Sequence, residues 1–347
     1  MTELPGDSGP YDIEVDGDAS SSTDVDDASS ELASLTSSIL TYVYENGRTY
    51  HAYRPGTYVL PNDEREQDRL DCIHHVFRLC LDGELCQTKL EHPQSILDIG
   101  TGTGIWAIEM ADEYPMTEVI GVDLSPIQPG WSDFLSCLSE GYYELTVIRV
   151  PPNLRFIIDD ANQPWIFPSQ HFDFIHIRGM CGSVENWPSF LRQCYDHLKP
   201  GGRIELAEIV PRAHCDDDSM PENCYLLKWQ KEFHRLTAIQ GRDWDIMPRM
   251  PKLLEEALFD QIEPSEQNCP IGTWPKDPKL KEIGRYFRAQ FADSALDSYS
   301  LALFTRFSDW KPTEVQVLMA HVRSELNSNK IHWYTKFSFV TAQKPLA

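Results

Sequence analysis

The densest chemical signal in this sequence is the run Leu97-Asp98-Ile99-Gly100-Thr101-Gly102-Thr103-Gly104. Glycines at alternate positions behind a short apolar stretch let the backbone turn sharply and approach a ligand closely, so Gly100, Thr101, Gly102 and Gly104 are candidate contacts. Two acids follow at the ends of further apolar runs. Asp123 ends Glu118-Val119-Ile120-Gly121-Val122-Asp123, where its paired oxygens can accept from both hydroxyls of a ribose. Asp160-Ala161 ends Phe156-Ile157-Ile158-Asp159-Asp160-Ala161, where a carboxylate can accept from an adenine amino group and a backbone N–H can reach the ring.

Two ligand classes compete for this loop. Read from Gly102, Gly102-Thr103-Gly104-Ile105-Trp106-Ala107 fits the dinucleotide pattern, with Asp123 about 20 residues on. Read from Asp98, an acid precedes three alternate glycines. A carboxylate there would repel a pyrophosphate, whereas it suits the ammonium and sulfonium of S-adenosylmethionine. The alternative role for Asp98 is to cap the next helix.

A general base is needed only if a group that reacts with the ligand must lose a proton. His51, His176, Glu208 and His214 are the candidates, and none is singled out as catalytic. His176 lies two residues from Arg178 in one strand, so they share a face. A strand histidine is commonly a packed, hydrogen-bonded core residue, whereas Arg178 at the strand end can reach a pocket and hold a carboxylate. His214, Cys215 and Asp216–Asp218 lack a second ligand pair at metal spacing and read as a solvated acidic loop, so no metal is expected.

The elements that must position these residues alternate between strand and helix, as in a parallel sheet covered on both faces. Strands are expected at 95–99, 118–123, 155–158, 172–177 and 203–207, with a last one near 336–342. Helical stretches fall at 105–113, 187–198, 223–239 and 313–326. Leu70, Ile73, Val76, Phe77 and Leu81 predict a lead-in helix with Asn62 as its N-cap. Lys199-Pro200-Gly201-Gly202 reads as a turn. Residues 1–36, rich in Asp, Ser and Thr, are expected to be a disordered acidic tail. Residues 37–90 form an aromatic lead-in. The domain proper spans 91–347, with a helical insertion at about 215–330. Tyr42, Tyr44, Tyr50, Tyr53 and Tyr58, with Trp229, Phe233 and Trp244, are expected to cover the site mouth or to be core.

Whole-chain composition narrows the function classes. The 347 residues carry 54 acids against 30 bases, net −24, which argues against direct nucleic-acid binding. No run is long and apolar enough for a membrane span, and no secretory signal is expected. Nine scattered cysteines without a C-x-x-C suggest reduced thiols in cytoplasm or nucleus.

Taken together, these segments resemble the LaeA-like branch of fungal S-adenosylmethionine-dependent methyltransferases, from about Arg48 onward. The general pattern is Asp98–Gly104, Gly121-Val122-Asp123-Leu124-Ser125, Asp160-Ala161 and Leu198-Lys199-Pro200-Gly201-Gly202. The branch pattern adds Tyr58-Val59-Leu60-Pro61-Asn62-Asp63-Glu64, Asp123-Leu124-Ser125-Pro126-Ile127-Gln128-Pro129 and Phe172-Asp173-Phe174-Ile175-His176-Ile177-Arg178. The resemblance implies a doubly wound α/β fold with a seven-stranded, mostly parallel sheet whose last strand is antiparallel. It also implies S-adenosylmethionine as cofactor, held by Asp98, Gly100, Thr101, Gly102, Gly104, Asp123, Leu124, Asp160, Ala161 and Arg178. Relatives of this type either methylate small-molecule acceptors in secondary metabolism or act as nuclear regulators with velvet-type partners.

Overall fold

The computed structural model describes residues 42–51, 59–129 and 150–346. The acidic segment 1–36, Tyr53, Tyr58 and Cys137 lie outside the described residues. The aromatic lead-in opens as a hairpin, β1 (Tyr42–Glu45) and β2 (Arg48–His51). Asn46 and Gly47 close it with φ of 52° and 79°, the twist that suits a two-residue hairpin turn. Helix α1 (Glu64–Cys80) follows. Its N-cap is Asp63 rather than the expected Asn62, and the Asp63 carboxylate accepts from the Glu66 N–H at 3.1 Å. Asn62 instead bonds the hairpin, accepting from the Thr49 hydroxyl at 3.0 Å.

The apolar runs become β3 (Ser95–Ile99), β4 (Glu118–Asp123), β5 (Leu154–Ile158), β6 (Phe172–Arg178) and β7 (Leu198–Ile209). Helices α2 (Ile105–Glu113) and α3 (Trp187–His197) are interleaved with them. Beyond β7 come α4 (Tyr225–Gln240), α5 (Met250–Glu256), β8 (Asp260–Pro270), α6 (Pro278–Gln290), α7 (Leu296–Phe307), α8 (Pro312–Asn327) and β9 (Tyr334–Gln343). A π-helical turn, Phe291–Ala295, joins α6 to α7.

Seven strands form one sheet in the order β5-β4-β3-β6-β7-β9-β8, and β9 is antiparallel to both its neighbours. Successive side chains go to opposite faces. Leu97, Ile99, Ile175 and Ile177 pack with Phe190 of α3 and Met250 of α5. Ile96 and Phe174 meet Trp106 and Met110 of α2 on the other face, and farther along the sheet Phe337 and Phe339 pack with Phe77 of α1. The strand order departs in both directions from β3, so the loops after β3 and β6 diverge and open a crevice at the carboxyl ends of the parallel strands.

Two expectations need correction. The stretch 215–330 is not wholly helical, because it contains β8, the outer strand of the sheet. Lys199-Pro200-Gly201-Gly202 does not sit in a separate turn but in an irregular first part of β7, where Gly201 has φ 78° and the pairing with β6 shifts register between Phe172 and Phe174. None of the described helices is long and apolar enough to cross a membrane.

Candidate functional site

The glycine loop leaves β3 and folds back on β4. Gly100 N–H and Thr101 N–H both donate to the Val122 carbonyl, at 2.8 and 3.0 Å, which aligns the loop with the end of β4. Gly100, Gly102 and Gly104 all have positive φ, 73°, 58° and 81°. Gly104 is also the N-cap of α2.

Asp98 lies under this loop. Its Oδ2 accepts from the Thr101 hydroxyl at 2.6 Å, and its Oδ1 shares a 2.7 Å hydrogen bond with Nδ1 of His176. His176 stacks on Trp106 with ring centroids 3.7 Å apart and planes within 6°. Asp98 is therefore fixed from two sides and is not among the residues lining the cavities above the loop.

Two adjoining cavities open there. The first is lined by Asp123, Leu124, Asp159, Asp160, Ala161 and Asn162, from the ends of β4 and β5. Asp160 accepts from the Asn162 N–H at 3.0 Å, which turns the chain around Ala161. The second is a larger cleft between the glycine loop and α1, reached by Arg178, Met180 and Glu208. Gly100, Asp123 and Met180 line both cavities. Asp123 accepts from Gly102 N–H at 2.8 Å and from Ser125 N–H at 2.9 Å. Burial pushes its carboxyl up to about 6 in spite of these bonds.

Arg178 ends β6 and enters the cleft over the Phe77 ring, with its guanidinium carbon 5.1 Å from the centroid. It donates to His74 Nδ1 at 3.1 Å, and His74 Nε2 in turn bonds Glu109 at 3.1 Å. Burial and the Arg178 charge hold His74 down to about 4, so it stays neutral and can accept. Burial lowers Arg178 to about 10 while the carboxylates of Asp98, Glu109, Glu205 and Glu208 oppose that, so it remains a cation at neutral pH.

Glu208 comes from the end of β7 and accepts from Met180 N–H at 2.6 Å and Cys181 N–H at 3.1 Å. Burial raises it to about 7. Met180, held by that bond, lays its thioether against Gly100. A Cβ on Gly100 would come within 2.3 Å of the sulfur.

Of the candidates drawn from sequence, Gly100, Thr101, Gly102, Asp123, Leu124, Asp160, Ala161 and Arg178 line one cavity or the other. Gly104 and Asp98 support the loop from below. Of the four possible bases, only Glu208 lines the cleft. His51 is buried in the hairpin, His176 is bonded to Asp98, and His214 bridges to Tyr334 away from both cavities. Trp244 lines the cleft, whereas Trp229 and Phe233 line a neighbouring chamber. Met180 was missed in the sequence because a methionine in a loop carries no periodicity. Its one signal is that it follows Arg178-Gly179 at a strand end.

Comparison with known proteins identifies the family. A family model described as a methyltransferase domain matches residues 51–246. The chain is 41% identical to "Methyltransferase pytC" of Aspergillus terreus, over 99% of this chain and 100% of that protein. It is 39% identical to "Secondary metabolism regulator LAE1" of Cochliobolus heterostrophus, over 87% of this chain and 94% of the relative. It is 36% identical to "Protein-methionine methyltransferase laeA" of Emericella nidulans, over 87% and 76% of the two chains.

Proposed function

The chain belongs to the LaeA-like methyltransferases of fungi, and from that premise we propose that it holds S-adenosylmethionine across the two adjoining cavities and methylates a small-molecule acceptor of secondary metabolism. The observation that carries the reading is Asp123, a half-buried carboxylate that lines both cavities at once. A ligand with a ribose at its middle would meet it from either side, with Asp160 and Ala161 at one end and Arg178 at the other.

The charges of the lining fit such a ligand better than a dinucleotide. Arg69 and Arg242 are paired with Glu66 and Glu185, and Arg178 stands among carboxylates, so a pyrophosphate finds little compensation here. S-adenosylmethionine supplies a methyl group on a sulfonium, a leaving group that is already activated. The protein's part is then to align and to exclude water. Asp123 accepts from ribose hydroxyls, Ala161 N–H and Asp160 address the adenine edge, and Arg178 takes a carboxylate. Asp98 acts through Thr101 and the loop rather than by contact. Glu208 is the group in the cleft that can take a proton from a hydroxyl acceptor, since burial keeps it near neutrality.

Calorimetry with S-adenosylhomocysteine and with NAD tests the proposal. One equivalent of the former should bind, and tighter binding of NAD would overturn it.

A second reading has a protein methionine as acceptor, and Met180 favours it. Its thioether already stands in the cleft against Gly100, and one relative carries the name protein-methionine methyltransferase. In that reading the protein serves as a nuclear regulator with velvet-type partners. Incubation with S-adenosylmethionine followed by peptide mass mapping would then find one added methyl at Met180, absent in Met180→Leu.

A further inference from the structure

Beside the cleft lies a chamber bounded by the end of β7, α4, α6 and the π-helical turn. Ile209, Trp244 and Tyr299 line both spaces, so the chamber adjoins the cleft directly.

Six of the sixteen residues on the chamber walls are aromatic, and four of these stand in two near-parallel pairs. Trp229 and Phe233 of α4 stack with centroids 5.3 Å apart and planes 23° from parallel. Phe287 of α6 and Phe291 of the π turn stack at 5.9 Å and 22°. The two pairs touch through the edge of Phe291, 5.7 Å from Trp229 at 80°. Flat faces at fixed angles favour a flat guest, because offset-stacked and edge-to-face contacts are the ones such walls can offer.

The polar groups on these walls are nearly all committed. Arg212 donates through Nε and one terminal nitrogen to a single oxygen, Oδ2, of Asp245, Gln230 accepts from Ala213 N–H at 2.6 Å, and the Thr335 hydroxyl donates to the Val210 carbonyl at 2.6 Å. Two groups are left over. Gln290 is 5% exposed and its Oε1 has no hydrogen-bond partner among the described residues. The indole N–H of Trp244 has none either. A buried polar atom without a partner calls for an explanation, and on the wall of a chamber a guest can complete the bond. Here one is an acceptor and the other a donor, and no wall residue offers an uncommitted charge.

Building on the methyltransferase reading, we infer that this chamber is the acceptor subsite and that its occupant is an uncharged, flat aromatic molecule bearing a hydroxyl or N–H. That group donates to Gln290, and a ring or carbonyl oxygen receives the Trp244 N–H. The group that is methylated is a second hydroxyl, on the part of the guest that reaches the cleft: there an O–C bond forms, the S–C bond breaks with its electron pair returning to sulfur, and that hydroxyl's proton leaves to Glu208 or water.

The test titrates the full chain with 2-naphthol, naphthalene and naphthalene-2-carboxylate by tryptophan fluorescence, with S-adenosylhomocysteine followed in parallel by calorimetry. 2-Naphthol should bind at least about tenfold more tightly than the carboxylate. Ala213→Phe, which fills the chamber, should weaken 2-naphthol by about tenfold or more while S-adenosylhomocysteine stays within about twofold. Gln290→Leu should erase the preference for 2-naphthol over naphthalene, and it keeps the test alive if Ala213→Phe does not fold. The inference is overturned if the wild type binds S-adenosylhomocysteine but not 2-naphthol, if it prefers the carboxylate, or if neither variant changes 2-naphthol binding. Failure of the wild type to bind S-adenosylhomocysteine would instead sink the cofactor reading.

Discussion

Asp98 and His176 face each other in register across β3 and β6, and Trp106 seals the imidazole from one side. With Asp98 at 3% and His176 at 1% exposure, neither can fall back on water if its partner is removed. Asp98→Asn and His176→Phe should therefore each destabilise the protein by about 1–3 kcal/mol, and the double variant should cost clearly less than the sum. Urea unfolding of the four proteins measures this; strict additivity would dissolve the pair. Glu208 makes a pH prediction. Its folded pKa, about 7 against an ordinary 4.5, means that the native state keeps a proton the unfolded chain has already lost between those values. Wild-type stability is thus eroded as pH rises through that window. Glu208→Gln keeps an oxygen for the Met180 and Cys181 N–H groups and abolishes the titration. The variant should gain on the wild type by up to about 3 kcal/mol from pH 4.5 to 7, read from unfolding curves along the pH series. At this scale the sequence is enough to put Asp123 and Asp160 on the cavity wall, because strand-end acids in series need no tertiary information. It cannot tell that the Asp98 oxygens are taken by Thr101 and His176, since that depends on which strand lies beside β3.

The loop between β3 and α2 depends on β5 for its shape. A Cβ on Gly104 would lie 2.4 Å from Cζ of Phe156, at a φ of 81°, whereas one on Gly102 meets only Leu70 Cδ1 at 3.4 Å. Gly104→Ala should cost on the order of 1–3 kcal/mol of stability through overpacking and backbone strain, and Gly102→Ala less. Chemical denaturation ranks the two, and the reverse order would show that Phe156 yields freely. Most elements were legible because their apolar residues recur at the period of one conformation. Helix α2 was placed to the residue at both ends. Strand β8 was not found, because Glu263, Pro264 and Glu266 sit in an exposed outer strand where nothing forces apolar alternation. The β1–β2 hairpin carried its own signal in Asn46-Gly47, but a pair of strands four residues long gives periodicity little to count. The cap of α1 moved by one residue because Asn62 and Asp63 are equally good caps locally, and the hairpin claims Asn62 through Thr49.

Across the whole molecule, charge and composition separate residues 1–36 from the rest. Ten acids and no basic residue fall within the first 31 positions, so the remaining chain carries about −14 of the −24 total. Deleting residues 1–36 should leave the melting temperature and the affinity for S-adenosylhomocysteine unchanged, since the segment has few apolar side chains to bury. A drop of several degrees in a thermal melt would show that it docks. The placement of β9 has a consequence for how the protein is made. It lies between β7 and β8 in the sheet, yet it is later in the sequence than both. While the ribosome is still adding residues 271–333, β8 has no neighbour to pair with, and Phe337 and Phe339 are not yet there to pack against Phe77. The nascent chain must therefore wait with one side of its sheet open, a state that chaperones recognise. A premature stop before Tyr334 would remove an interior strand rather than trim an edge, and such a product should be cleared by proteolysis while a full-length chain of the same age survives.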